Sequence, residues 1–189
     1  MKTTNIMIVG VGGQGSLLAS KLLGRLLVDE GYDVKVSEVH GMSQRGGSVV
    51  TYVRFGEKVY SPIIDKGEAD FIVSFEKLEA ARYAAFLKKD GKIIVNSQEI
   101  DPMPVITGAA TYPHDALDEL SAAGVSVDCI DALTPALEAG SAKAVNIVLM
   151  GRLSKSLPFS QEKWLDALRA TVAPKFVEMN VKAFELGRR

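Results

Sequence analysis

The run Glu38-Val39-His40-Gly41-Met42-Ser43-Gln44-Arg45-Gly46-Gly47 sets an imidazole, a hydroxyl, an amide and a guanidinium close together on backbone that its glycines free to take unusual angles. Arg45 carries the strongest chemistry, a planar and permanently charged fork that suits a phosphate or carboxylate, or equally an ion pair to another polypeptide. His40 can bind a ligand or hydrogen-bond within the loop. Ser43 and Gln44 can do the same or simply satisfy loop backbone groups. About one strand-helix-strand unit earlier lies Gly10-Val11-Gly12-Gly13-Gln14-Gly15, a turn whose N–H groups from Gly12 to Gly15 could face an anion. Gly10, Gly12 and Gly15 fit G-x-G-x-x-G, and Glu38 falls 23 residues past Gly15, near where an acid would meet a ribose hydroxyl. The same glycines also serve a tight turn and close helix-to-sheet packing, so a dinucleotide site is only one reading of them.

These groups need elements to hold them. Asn5–Val9 is an apolar run ending in glycine, as a central parallel strand is, and Ser16–Leu27 carries leucines at helical spacing before a stop at Gly31. Val34–Val39 and Gly47–Phe55 read as strands, with Gly56-Glu57-Lys58 as a hairpin turn into Val59-Tyr60-Ser61. Phe71–Phe75 reads as a strand, Glu76–Leu87 as a helix ending before Asp90-Gly91, and Lys92–Asn96 as the next strand. After a proline-marked loop, His114–Ala123 reads as a helix and Val125–Ile130 as the last strand. Helices are expected over Ala142–Leu153, Gln161–Ala170 and Lys175–Leu186. The expected fold is α/β, a Rossmann-like, largely parallel sheet with a helical C-terminal region, in a single domain spanning 1–189.

Composition narrows the function. Lys and Arg number 22 against 23 Asp and Glu, so no charge excess draws the chain to nucleic acid or an anionic membrane. No apolar run approaches a membrane span or a signal peptide, which implies a cytoplasmic protein. Cys129 is the single cysteine, so a four-cysteine iron–sulfur cluster is excluded, and it reads as a buried, inert thiol. With His40 and His114 the only histidines, no metal site is expected. His114 reads as a surface residue, and Asn146, polar in an apolar helix face, as a group that makes a buried hydrogen bond or an intersubunit contact.

The pairing of Gly-Gly-Gln-Gly (Gly12–Gly15) with Ser-Gln-Arg-Gly-Gly (Ser43–Gly47), together with Asn146 before Leu157-Pro158, resembles the gamma-type subunit of 2-oxoacid:ferredoxin oxidoreductases, most of all that of the indolepyruvate enzymes. The resemblance covers essentially the whole chain. It implies a non-catalytic, non-cluster subunit in the oxidative decarboxylation of a 2-oxoacid to its acyl-coenzyme A, with electrons passed to ferredoxin through a partner. It places thiamine diphosphate and the iron–sulfur clusters on partner subunits and leaves this chain to help accommodate coenzyme A. The residues expected to touch coenzyme A or another anion are Gly12, Gly13, Gln14, Gly15, His40, Ser43, Gln44 and Arg45. The competing reading is a free-standing NAD(P)-binding or regulatory module.

Overall fold

The computed structural model describes residues 3–189 apart from 41–46, with His40 described by its backbone alone. In chain order the elements are β1 (Thr4–Val11), α1 (Ser16–Asp29), β2 (Asp33–His40), β3 (Ser48–Gly56), β4 (Ala69–Ser74), α2 (Lys77–Tyr83), β5 (Leu87–Asn96) and α3 (Met103–Ile106). There follow α4 (Ala116–Ala122), β6 (Ser126–Ile130), α5 (Leu133–Ala139), α6 (Val145–Ser154), α7 (Gln161–Thr171) and α8 (Val177–Gly187). The six strands form one sheet in the order β2-β3-β1-β4-β5-β6. β1, β4, β5 and β6 run parallel, and β3 runs antiparallel between β1 and β2. The sheet is therefore mostly parallel, as the apolar character of its central strands implies.

Each face of β1 is buried against a different layer. Ile6 and Ile8 join a core with α1, α6, α7 and α8, whereas Met7 and Val9 join a second core under α2 and α4. A strand covered on both faces cannot alternate apolar with polar, which is why Ile6 to Val9 reads as a continuous apolar run. Helix α1 buries Leu22, Leu23, Leu26 and Leu27. It ends where Gly31, at φ 83°, donates to the Val28 carbonyl (3.0 Å) and Tyr32 to that of Leu27 (3.1 Å), a left-handed stop that only glycine adopts without strain.

The departure from a Rossmann alternation lies elsewhere than the sequence suggests. The antiparallel pairings are those of β3 with β1 and with β2, and no strand forms at Val59-Tyr60-Ser61. Side chains take the backbone groups a ladder would need: Asp33 accepts the Val59 N–H (2.9 Å), and Arg54 donates to the carbonyls of Ser61 (3.2 Å) and Ile63 (2.6 Å). The helix expected to reach Leu87 stops at Tyr83 in a 3-10 turn, and β5 already includes Asp90-Gly91. Gly91 marks a close approach rather than a turn, since a Cβ there would lie 2.9 Å from the Ala69 carbonyl oxygen, where the β4–β5 register shifts. The short helices α3 and α5 were not legible as such. Cys129, expected to be buried, is exposed, because β6 is an edge strand.

The C-terminal helices pack backbone to backbone. A Cβ on Gly151 of α6 would sit 2.2 Å from the Phe184 carbonyl oxygen of α8, and one on Gly187 would sit 2.0 Å from that of Val148. Gly151→Ala should therefore overpack the contact by about 3 kcal/mol. About 1 kcal/mol returns through better helix propensity. The expected net loss of about 2 kcal/mol corresponds to a melting temperature roughly 4–8 °C lower for a chain of this size. Circular-dichroism melts check this; a fall under about 2 °C would show that α6 and α8 part without cost.

Candidate functional site at the carboxyl edge of the sheet

From β1 the chain passes through α1 toward β2 on one side, and from β4 through α2 toward β5 on the other, so β1 and β4 flank the point where strand order reverses. Doubly wound sheets bind ligands in this crevice, outside the carboxyl ends of the strands. Two strand-to-helix turns border it here, and they differ in what their helix N-termini leave free.

The α2 turn is satisfied internally. Lys77 N–H donates to the Gln98 carbonyl (3.0 Å), Leu78 N–H to the Tyr112 hydroxyl (3.1 Å) and Glu79 N–H to the Glu76 carboxylate (2.9 Å). Glu76, 1% exposed, also accepts the Ile100 N–H (3.2 Å) and the Tyr112 hydroxyl. A carboxylate with these donors caps its own helix and leaves no room for an external anion. Burial, with the bond to Glu76 acting in the same direction, pushes the Tyr112 hydroxyl well above its ordinary value, so it stays a donor.

The α1 turn is open. Gly12 N–H donates to the Gly47 carbonyl (2.8 Å) and Gln14 N–H to that of Val11 (3.2 Å). The N–H groups of Gly13, Gly15, Ser16 and Leu17 meet no partner among the described residues. The Gln14 side chain folds back, its carbonyl accepting the Val11 N–H (2.7 Å) and its amide donating to the Phe75 carbonyl (3.2 Å) and to Gln98 (3.2 Å). Gly15, at φ 89°, caps the helix. A Cβ there would lie 2.5 Å from the buried Asn146 amide nitrogen, which donates to the Gly15 carbonyl (3.1 Å). Asn146 thus ties α6 to the turn, as the buried polar group the sequence suggests.

Concavities lie on both sides of this turn. One, of about 420 Å³, is lined by Gly12, Gly13, Ser16 and Glu38. Glu38 already accepts the hydroxyls of Ser16 (3.3 Å) and Thr51 (3.2 Å), and its charge disfavours a second anion there. The other, of about 550 Å³, is lined by Gly13, Gly15, Leu18, Gln98, Ile100, Leu133, Lys143 and Asn146, so a cation replaces the carboxylate. A third cavity of about 240 Å³ opens on the α2 side, between Val11, Ser48, Glu76, Glu79, Ile100, Met103 and Ile106.

Glu79, 4% exposed, accepts the Ser48 hydroxyl and pairs with Arg82 (3.2 Å). Burial, reinforced by the nearby Glu76 charge, holds its carboxyl above the ordinary 4.5 against the pull of Ser48 and Arg82. The folded chain therefore keeps a proton at Glu79 that the unfolded chain releases. That contribution to stability is complete below about pH 4.5 and is lost as pH rises through the folded value. Glu79→Gln should flatten this limb in urea titrations between pH 4 and 8, and a slope equal to that of the unaltered chain would show that Glu79 does not set it.

Of the residues singled out by sequence, Gly12, Gly13, Gln14 and Gly15 form the open turn. The His40 backbone ends β2 opposite Val49. Ser43, Gln44 and Arg45, and the His40 side chain, lie outside the described residues. The bond from Gly12 to Gly47 joins the exit of their stretch to the glycine turn. His114 is exposed and bonds Glu99 (2.8 Å). Sequence reasoning missed Glu76, Glu79 and Tyr112; the readable signal was an acid directly after an apolar strand with a second acid three residues on, a capping pattern.

The pyruvate ferredoxin/flavodoxin oxidoreductase family matches residues 5–189. An indolepyruvate oxidoreductase subunit, IorB, of Thermococcus kodakarensis is 47% identical over 99% of this chain and 95% of its own length. The fold is that of a keto/oxoacid ferredoxin oxidoreductase gamma subunit from Geobacter sulfurreducens, with TM-score 0.72 and 22% identity over 97% of this chain and 95% of that one. It is also found in a 2-oxoglutarate:ferredoxin oxidoreductase from Magnetococcus marinus, with TM-score 0.76 and 18% identity, where it covers all of this chain but 31% of that longer one. With a family match running from β1 to the last residue and near-half identity to a relative of the same length, the chain belongs to the pyruvate ferredoxin/flavodoxin oxidoreductase family.

Proposed function

We propose that this chain is the gamma-type, non-cluster subunit of an indolepyruvate-class 2-oxoacid:ferredoxin oxidoreductase, folded as a single domain and working in the cytoplasm. The observation that carries this is the 47% identity along 99% of the chain to an indolepyruvate oxidoreductase subunit. One cysteine cannot hold a four-cysteine cluster, so the electron-carrying groups belong to a partner. No helix among the described residues is long and apolar enough to cross a membrane. The free-standing NAD(P) module is not favoured, since the similar proteins are oxidoreductase subunits.

Thiamine diphosphate and iron–sulfur clusters, supplied by partner subunits, would decarboxylate the 2-oxoacid and carry its electrons to ferredoxin. This chain contributes binding. Its open α1 turn offers N–H groups that have no partner among the described residues, at the positive end of a helix, and Lys143 adds a cation on the side away from Glu38. That arrangement suits a phosphate of coenzyme A. Arg45 would add a second charge, either to coenzyme A or to a partner subunit.

The test is reconstitution. The chain purified alone should be colourless, inactive and without micromolar affinity for NAD or NADP by calorimetry. With its partner it should support coenzyme A-dependent oxidation of indolepyruvate, screened beside pyruvate and 2-oxoglutarate. Activity of the isolated chain, or low-micromolar NAD binding, would overturn the proposal.

A further inference from the structure

Three side-chain amides, Gln14 after β1 and Asn96 and Gln98 at and just beyond the end of β5, meet near the Phe75 carbonyl that follows β4. The Gln14 side-chain oxygen accepts the Val11 N–H (2.7 Å) and that of the buried Asn96 accepts the Ala132 N–H (3.0 Å), so backbone donors fix which end of each amide is nitrogen. Both nitrogens then turn toward the same two acceptors. Gln14 donates to the Phe75 carbonyl (3.2 Å) and to the Gln98 side-chain oxygen (3.2 Å), and Asn96 donates to the same pair (3.3 and 3.4 Å). An amide nitrogen has two hydrogens and its oxygen two lone pairs, so the Gln14 and Asn96 nitrogens and the Gln98 oxygen are fully used.

The group left over is the Gln98 amide nitrogen. Turning Gln98 over would set three amide nitrogens against one another, and in its fixed orientation that nitrogen has no partner among the described residues. Gln98 lines the 550 Å³ cavity beside the α1 turn. Lys143 lines it too, and its ammonium likewise has no partner among the described residues. No aspartate or glutamate is among the described residues of this wall, and the side-chain oxygen of Asn146 is taken by the Ile147 N–H (2.8 Å), as those of Gln14 and Gln98 are by their own donors. The side chains here therefore offer donors and positive charge without a spare acceptor. Their complement is a group that is all acceptor and negative, which is the chemistry of a phosphate.

We propose that Gln98 is a ligand-binding residue, whose amide nitrogen, aimed by Gln14 and Asn96, donates to a phosphate that Lys143 and the α1 turn also hold. This rests on the reading that the turn takes coenzyme A, and adds to it a contact from beyond β5. Gln14 and Asn96 are then positioning residues that act through Gln98. The one long side chain between Gly12 and Gly15 serves to aim a neighbour.

The experiment assembles the enzyme with the unaltered chain, Gln98→Ala or Gln98→Glu and measures coenzyme A affinity by calorimetry without 2-oxoacid, beside melts of each chain. Glutamate is the informative variant, because its carboxylate still accepts from Gln14 and Asn96 but presents an oxygen where the nitrogen stood. Gln98→Glu should keep its melting temperature and bind coenzyme A about 30-fold or more weakly, since a bond is lost and a like charge gained. Gln98→Ala should bind about 10-fold more weakly and, with two amides short of an acceptor, melt roughly 2–4 °C lower. If Gln98 only braces the turn the ranking reverses, with glutamate binding as the unaltered chain does and alanine more weakly. Full affinity in either variant overturns the contact and leaves the coenzyme A reading standing, because a loss confined to glutamate is charge repulsion alone. An unaltered enzyme that binds no coenzyme A overturns both.

Discussion

Replacing Glu76 with alanine is expected to destabilise the chain by about 3–7 kcal/mol. The carboxylate accepts from the Glu79 and Ile100 N–H groups and from the Tyr112 hydroxyl, all within a wall of the crevice. Removing it deletes a helix N-cap, which costs about 1 kcal/mol. It also leaves two further buried donors unpaired at about 1–3 kcal/mol each. For a chain of this size the melting temperature should fall by roughly 6 °C or more. Tyr112→Phe takes the acceptor from the Leu78 N–H and one of three donors from Glu76, whose carboxylate keeps the Glu79 and Ile100 N–H groups, and should fall by about half as much or less. A melt of Glu76→Ala within about 3 °C of the unaltered chain would mean that water replaces all three contacts, and that the α2 turn is more open than its hydrogen bonds indicate.

The same residue shows why part of the site was legible and part was not. Glycines advertise themselves: Gly15 and Gly31 sit at positive φ, where local sequence alone demands them, and the alternation of apolar strand, glycine turn and leucine-patterned helix located β1 and α1 within two residues at either end. Glu76 shows locally only its capping pattern with Glu79, because its other partners Ile100 and Tyr112 arrive from 24 and 36 residues further on. Its role exists only once β4 and β5 are side by side.

The misplaced hairpin has the same origin. Gly56-Glu57-Lys58 has good turn chemistry, yet Asp33 and Arg54 hold the chain beyond it by side-chain bonds that no local pattern reveals. Nor does periodicity reveal that β3 would insert between β1 and β2. That insertion sets Glu38 opposite Thr51, with its carboxylate turned to the hydroxyls of Thr51 and Ser16. An acid at the end of the second strand is thus consistent with a ribose ligand in sequence and already engaged in the structure.

Arg45→Ala, examined in the assembled enzyme, is expected to have the largest effect on ligand handling. A guanidinium bonded to a phosphate of coenzyme A contributes roughly 1.5–3 kcal/mol, so its removal should raise the Michaelis constant for coenzyme A about 10- to 150-fold. Decarboxylation measured without coenzyme A should stay near normal, since it does not draw on the contact removed. Arg45→Lys keeps the charge and loses the planar fork, so it should fall between the two. If Arg45 instead anchors a partner subunit, alanine will reduce the yield of complex and depress every activity together. The two roles therefore separate on one set of samples: gel filtration reports the anchor, and the coenzyme A dependence of a fully assembled variant reports the ligand. An Arg45→Ala enzyme that assembles completely and shows unchanged kinetics for coenzyme A and the 2-oxoacid would remove Arg45 from both roles.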